Sequence, residues 1–131
     1  MGKKRGKNPI CEPWETNGGG FVRLYRSMID SEAFNDLSFR QQMLLIRFKE
    51  KHILKVANGE IAESNNGILH FTAQEQRKFY RYDDGKQFRQ DRDALISHGF
   101  LRFTFRGANL RLPNTYELIG DWKNWRKRTD G

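Results

Sequence analysis

"DDGKQFRQDRDALISHGFLRFTFRG", residues 83–107, decides how this chain reads. A short acidic turn leads into a stretch with helical spacing. That stretch stops at Gly99 and passes at once into an alternating strand. Asp84, with Gln87 three residues on, marks a helix start, and an Asp there suits the positive end of the helix dipole. Gly99 is the matching stop. Wound as an α-helix from Gly85 to His98, the segment turns Phe88, Arg92, Leu95 and Ile96 toward one side. Lys86, Gln90, Asp93 and Ser97 fall opposite, with Gln87 and Arg89 on the flanks. Phe88 and Leu95 would anchor a core. The outer face then offers Lys86, Gln87, Arg89 and Gln90 near its amino end. Lys and Arg contact phosphate, Arg pairs with guanine and Gln with adenine, and a recognition helix uses its N-terminal residues in the major groove. A solvated amphipathic helix carries the same pattern, so the helix alone does not choose.

The segment after Gly99 narrows the choice. In "FLRFTFRGANLRLPNTYELI" Leu101, Phe103 and Phe105 alternate with Arg102, Thr104 and Arg106. "GAN" is a short turn. Leu110 and Leu112 alternate with Arg111, and Tyr116 and Leu118 resume after Pro113. A hairpin is expected, with apolar faces to bury and Arg106 and Arg111 beside its tip.

Upstream, "SFRQQMLLIRFKEKHIL" is the clearest helix. Ser38 and Gln41 form a capping box. Phe39, Met43, Leu44 and Ile46 are expected to make its apolar face, and "KEKH" suits a helix C-terminus. In "KVANGEIAESNNGILHF" two Asn-Gly pairs, 58–59 and 66–67, mark turns, and "ILHF" is a short strand candidate. "TAQEQRKFYRY" opens on a second capping box, Thr72 with Glu75, and predicts a short basic helix. Its free N–H groups near Thr72 and Gln74 could meet a phosphate, with Arg77 close by. Before all of these, "FVRLYRSMIDSEAFNDLS" predicts short or mixed helix, with Ser31 capping a turn through Phe34.

The chain has 131 residues, the length of one domain. It divides into a flexible basic arm (1–20), a folded domain (21–125) and a basic tail (126–131). Its net charge of +8 points to an acidic partner, either nucleic acid or an anionic surface. The arm carries Lys3, Lys4 and Arg5, which could follow a phosphate backbone or enter a minor groove. The tail's "DWKNWRKRTDG" reads as a short helix packing Trp122 and Trp125 on the body. Its alternatives are a second phosphate-binding tail or a docking segment for a second protomer. One cysteine, Cys11, excludes an internal disulfide. Three scattered histidines lack metal-site spacing, so neither metal nor cofactor is expected. No apolar run would span a membrane, and the basic amino end lacks an apolar stretch, so no signal peptide is expected and the cytoplasm is the default location. No glycine-rich phosphate loop, catalytic triad or facing carboxylate pair appears, which argues against an enzyme. The aromatic platform of an RNA-binding sheet is not evident either.

Helix, short strand, helix, turn, helix and hairpin is the order of an α+β winged helix-turn-helix: a three-helix core with a C-terminal β-hairpin wing. "LYRSMIDSEAFNDLSFRQQMLLIRF", "NNGILHFTAQEQRKF", "KQFRQDRDALISHGFLRF" and "NTYELIGDWKNW" resemble, in that order, winged-helix proteins of plasmids and integrative conjugative elements of Gram-positive bacteria. The junction Phe88, Leu95, His98, Gly99, Phe100 and Leu101 and the closing Tyr116, Leu118 and Trp122 carry the resemblance. These are mostly core positions, so they speak to fold more than to function. The resemblance implies a protein that binds double-stranded DNA at a replication or transfer origin. A transcriptional regulator of the same fold, or an adaptor recruiting a relaxase or replication initiator, stays open. The oligomeric state also stays open. The chain departs from the family at Asp91, where a small apolar residue is usual; a buried Asp91 would need a partner such as an Arg.

Overall fold

In a computed structural model, residues 20–80, 85–107 and 112–128 are described. The expected arm and its Lys3, Lys4 and Arg5 lie outside the described residues, as do the Asp84 cap and Arg111. The elements run α1 (Arg26–Ile29), α2 (Glu32–Asp36), α3 (Phe39–Lys51), β1 (Leu54–Ala57), β2 (Glu60–Ser64), α4 (Ala73–Phe79), α5 (Lys86–Ser97), β3 (Leu101–Phe105), β4 (Thr115–Leu118) and a 3-10 turn (Asp121–Asn124). The fold is mixed α+β, with two small antiparallel hairpins, β1–β2 and β3–β4. This arrangement is compatible with a winged helix.

Local chemistry sets the helix starts. The Ser38 hydroxyl accepts the Gln41 N–H while the Gln41 side chain accepts the Ser38 N–H; Thr72 and Glu75 repeat the exchange at α4. Ser31 accepts the Phe34 N–H and starts α2. The helix α5 begins instead on Gly85, with no side-chain cap.

The core lies between α3, α5 and the β3–β4 hairpin. Phe48 meets Phe71 and Tyr116, each with ring centroids 5.3 Å apart, and Phe71 stacks on Phe88 at 5.2 Å. Leu44, Leu45, Leu95, Phe100 and Leu101 fill the rest. Leu69 exchanges both backbone hydrogen bonds with Tyr116, so the expected "ILHF" strand survives as a single bridge that adds a third chain to the β3–β4 sheet.

At Gly99 the backbone has φ +83°, and a Cβ there would lie 2.6 Å from the Trp122 nitrogen. Only glycine lets the α5–β3 corner turn this way and receive the 3-10 turn so closely. Trp122 then stacks on Phe100 and Trp125 on His98. Arg126 and Lys127 pair with Glu32 and Asp36 of α2. The tail therefore packs on the body, and two of its cations already face carboxylates.

Three expectations are corrected. On α3, Phe39 is 85% exposed and Met43 42%; the buried residues are Leu44, Leu45 and Phe48. Of the expected face, Leu44 is buried and Ile46 half-buried, while Phe39 and Met43 are left outside and Leu45 and Phe48 enter the core. On α5, Phe88 and Leu95 are buried as expected, with Arg92 and Ile96 partly buried beside them, but Asp91 is fully buried as well, so the core face is wider than expected and takes in a carboxylate. On β3, the register with β4 shifts between Phe103 and Phe105, which breaks the simple alternation and leaves Phe105 39% exposed. The β1–β2 hairpin was not foreseen as strands. Its Asn58-Gly59 turn, with φ of +55° and +77°, is the one read from sequence. Every residue of both strands is exposed, so no one-sided pattern betrays them.

Candidate nucleic-acid interface

The candidate face is the amino-terminal half of α5. Lys86, Arg89 and Gln90 are exposed there and Gln87 is half-buried. The Gln87 Nε2 donates to the Gln90 Oε1 at 3.2 Å, which links two amides into one polar unit. A Gln amide can read an adenine edge, and a cation beside it can hold phosphate.

The sign of this face depends on Asp91. Its side chain is fully buried, the one buried charged residue among those described. Arg40 of α3 holds it through Nε to Oδ2 at 2.6 Å and Nη2 to Oδ1 at 3.2 Å. The Tyr80 hydroxyl donates to Oδ2 at 2.7 Å, and the Gln41 amide reaches Oδ1 at 3.4 Å. A buried carboxylate needs such compensation. The consequence is electrostatic as well as structural: the first acid within α5 faces inward and is paired with Arg40. Asp93, one residue beyond Arg92, is exposed and takes Arg92 in an ion pair of 3.0 Å.

The β3–β4 hairpin contributes Arg106, which is exposed. Its guanidinium carbon lies 4.1 Å from the centroid of the Phe103 ring, and that of Arg92 lies 4.9 Å from the same centroid. Arg102 points elsewhere and pairs with Glu117 across the hairpin. Arg106, by contrast, forms no ion pair among the described residues.

The α4 amino end is built differently. Gln74 and Arg77 are exposed, but the Thr72 hydroxyl oxygen is engaged in the capping box and the Glu75 carboxylate accepts the Thr72 N–H at 2.8 Å. Lys51 is drawn onto Glu75. Burial pushes the Glu75 carboxyl up, yet its bonds from Lys51 and Thr72 outweigh this and hold it below its ordinary value. A carboxylate therefore sits at this helix end, and the groove beside it, lined by Arg47, Glu50, Lys51, Phe71, Glu75, Lys78 and Phe79, pairs its acids with its own cations.

Of the residues expected from sequence, Lys86, Gln87, Arg89 and Gln90 share the start of α5, Arg106 sits on the hairpin that follows α5, and Thr72, Gln74 and Arg77 lie on α4. Sequence reading missed Arg40, whose partner is 51 residues away, and Phe103, which it took for core alone. Among the described residues no three His, Cys, Asp or Glu side chains converge as metal ligands, and no helix is long and apolar enough to cross a membrane. Comparison with protein-family models, curated proteins and solved structures finds no match for this chain.

Proposed function

We propose that the protein is a sequence-specific, double-stranded DNA-binding protein with a winged helix-turn-helix. The helix α5 would enter the major groove with Lys86, Gln87, Arg89 and Gln90, and the β3–β4 hairpin would act as the wing, laying Arg106 on the backbone. Arg111, Lys3, Lys4 and Arg5 would add phosphate contacts. One observation carries this reading: Asp91 is turned inward onto Arg40, so the exposed start of α5 is all cation and amide. The Leu69–Tyr116 bridge supports the wing, because it gives the hairpin the third chain that a winged helix carries before its helix pair.

The setting, a replication or transfer origin of a mobile element, rests on the sequence resemblance alone. A second reading is an adaptor that recruits a relaxase or replication initiator. It is favoured by the β1–β2 hairpin, whose Val56 and Ile61 are paired and 62% and 68% exposed.

Fluorescence anisotropy against the element's own origin and promoter fragments, beside scrambled duplex, tests the reading. Tight binding to one fragment, with log K falling about 0.9 per contacted phosphate against log salt, is expected. Equal weak binding to every duplex would leave only generic charge, and the adaptor reading would replace it.

A further inference from the structure

We infer that Phe103 is the positioning residue for Arg106: the ring holds the guanidinium as a seat for a nucleic-acid phosphate at the seam between α5 and the hairpin. The inference rests on the DNA-binding reading and names the device that fixes one of its contacts.

Simple alternation along β3 would put Phe103 and Arg106 on opposite faces. The register shift between Phe103 and Phe105 removes that separation, and the Arg106 guanidinium comes to lie 4.1 Å over the ring. The ring is itself fixed. It packs on buried Tyr116 with centroids 5.2 Å apart, opposite which it sits in the β-ladder. From the α5 side, Arg92 approaches the same ring at 4.9 Å and the Phe88 ring at 5.9 Å.

Two guanidiniums thus share one aromatic ring, and they differ in what they have left to offer. Asp93 accepts from the Arg92 Nε at 3.0 Å, which offsets that charge. Among the described residues Arg106 has the Phe103 ring beneath its guanidinium but no carboxylate partner. Stacking fixes the plane of a guanidinium without using its five N–H donors, so the fork remains available for bidentate contact with phosphate oxygens. An arginine otherwise loses rotamer entropy when it binds. A ring that already holds it removes part of that loss.

The experiment is a double-mutant cycle on duplex binding, read with the full-length chain. Phe103→Leu is expected to weaken binding about threefold to tenfold in the wild-type background, the range a partly exposed cation–π contact supports. In an Arg106→Ala background the same change is expected to cost nothing, and Phe103→Tyr should retain wild-type affinity. In the free protein, the Arg106 side-chain protons should show an upfield ring-current shift in NMR that Phe103→Leu abolishes. An equal loss in both backgrounds, or an unshifted Arg106, overturns the inference while leaving DNA binding intact. A wild-type protein that binds no duplex overturns the reading beneath it, and the inference with it.

Discussion

Arg40 closes on the buried carboxylate of Asp91 through two hydrogen bonds, and this contact ties α3 to α5. Asp91 lies between the buried Phe88 and Leu95, on the core face of α5. The Arg40 side chain is 48% exposed while Asp91 has no exposure, so the pair is a plug reaching inward from the surface.

Removing one partner should therefore cost more than removing both. Arg40→Met strands a buried charge and should destabilise by about 3 kcal/mol, the low end for such a break because Arg40 is half in water. Arg40→Met combined with Asp91→Leu should be more stable than Arg40→Met alone. Urea unfolding of the wild type and the two variants checks the order. If the double variant is the least stable, the pair is a net source of stability rather than a device that orients the helix.

Thr72 separates a cap from a phosphate contact. Its hydroxyl oxygen serves the Glu75 N–H, so Thr72→Ala should lower stability by about 1 kcal/mol. Its DNA affinity and salt slope should match those of the wild type. A reduced slope with unchanged stability would return Thr72 to the interface.

The His98–Asp36 contact makes a prediction about acid. His98 Nε2 lies 2.8 Å from the Asp36 carboxylate, and this hydrogen bond, with help from the charges of Lys127 and His98, holds the Asp36 carboxyl below its ordinary value despite some desolvation. The folded value lies below the unfolded one, so the contribution is complete above the unfolded value of about 3.9. It is lost as pH falls from there through the folded value. His98→Phe, which keeps a ring against Trp125, should flatten the dependence of stability on pH below about pH 4. Denaturant midpoints measured between neutral and acid pH decide this, and an unchanged slope would mean that Asp36 gains nothing from His98.

Much of the framework was legible because local chemistry wrote it. The two capping boxes start α3 and α4 at the expected residues, Gly99 ends α5, and an Asn-Gly pair makes the one tight turn of β1–β2. What failed depended on distant partners. No local signal says that Asp91 will be buried, because its guanidinium comes from the start of α3. Phe39 and Leu44 were both expected on the apolar face of α3, and only the packing of α3 on α5 separates the buried Leu44 from the exposed Phe39. The strands β1 and β2 bury neither face, so they lack the alternation that identifies a strand. At the candidate interface, the residue types on α5 were readable, but the seat of Arg106 was not, since the register shift that brings it to Phe103 follows no sequence rule. Arg111 and the basic arm lie outside the described residues.

The charge of the α5 surface is the central claim, and Lys86→Glu with Arg89→Glu tests it most directly. Both residues are exposed, so the thermal midpoint of the variant should stay close to that of the wild type. Anisotropy titration against the preferred duplex should show specific binding abolished, with the residual salt slope lower by about two phosphates. Wild-type affinity in a folded variant would contradict the claim, and would move any nucleic-acid contact away from α5 altogether.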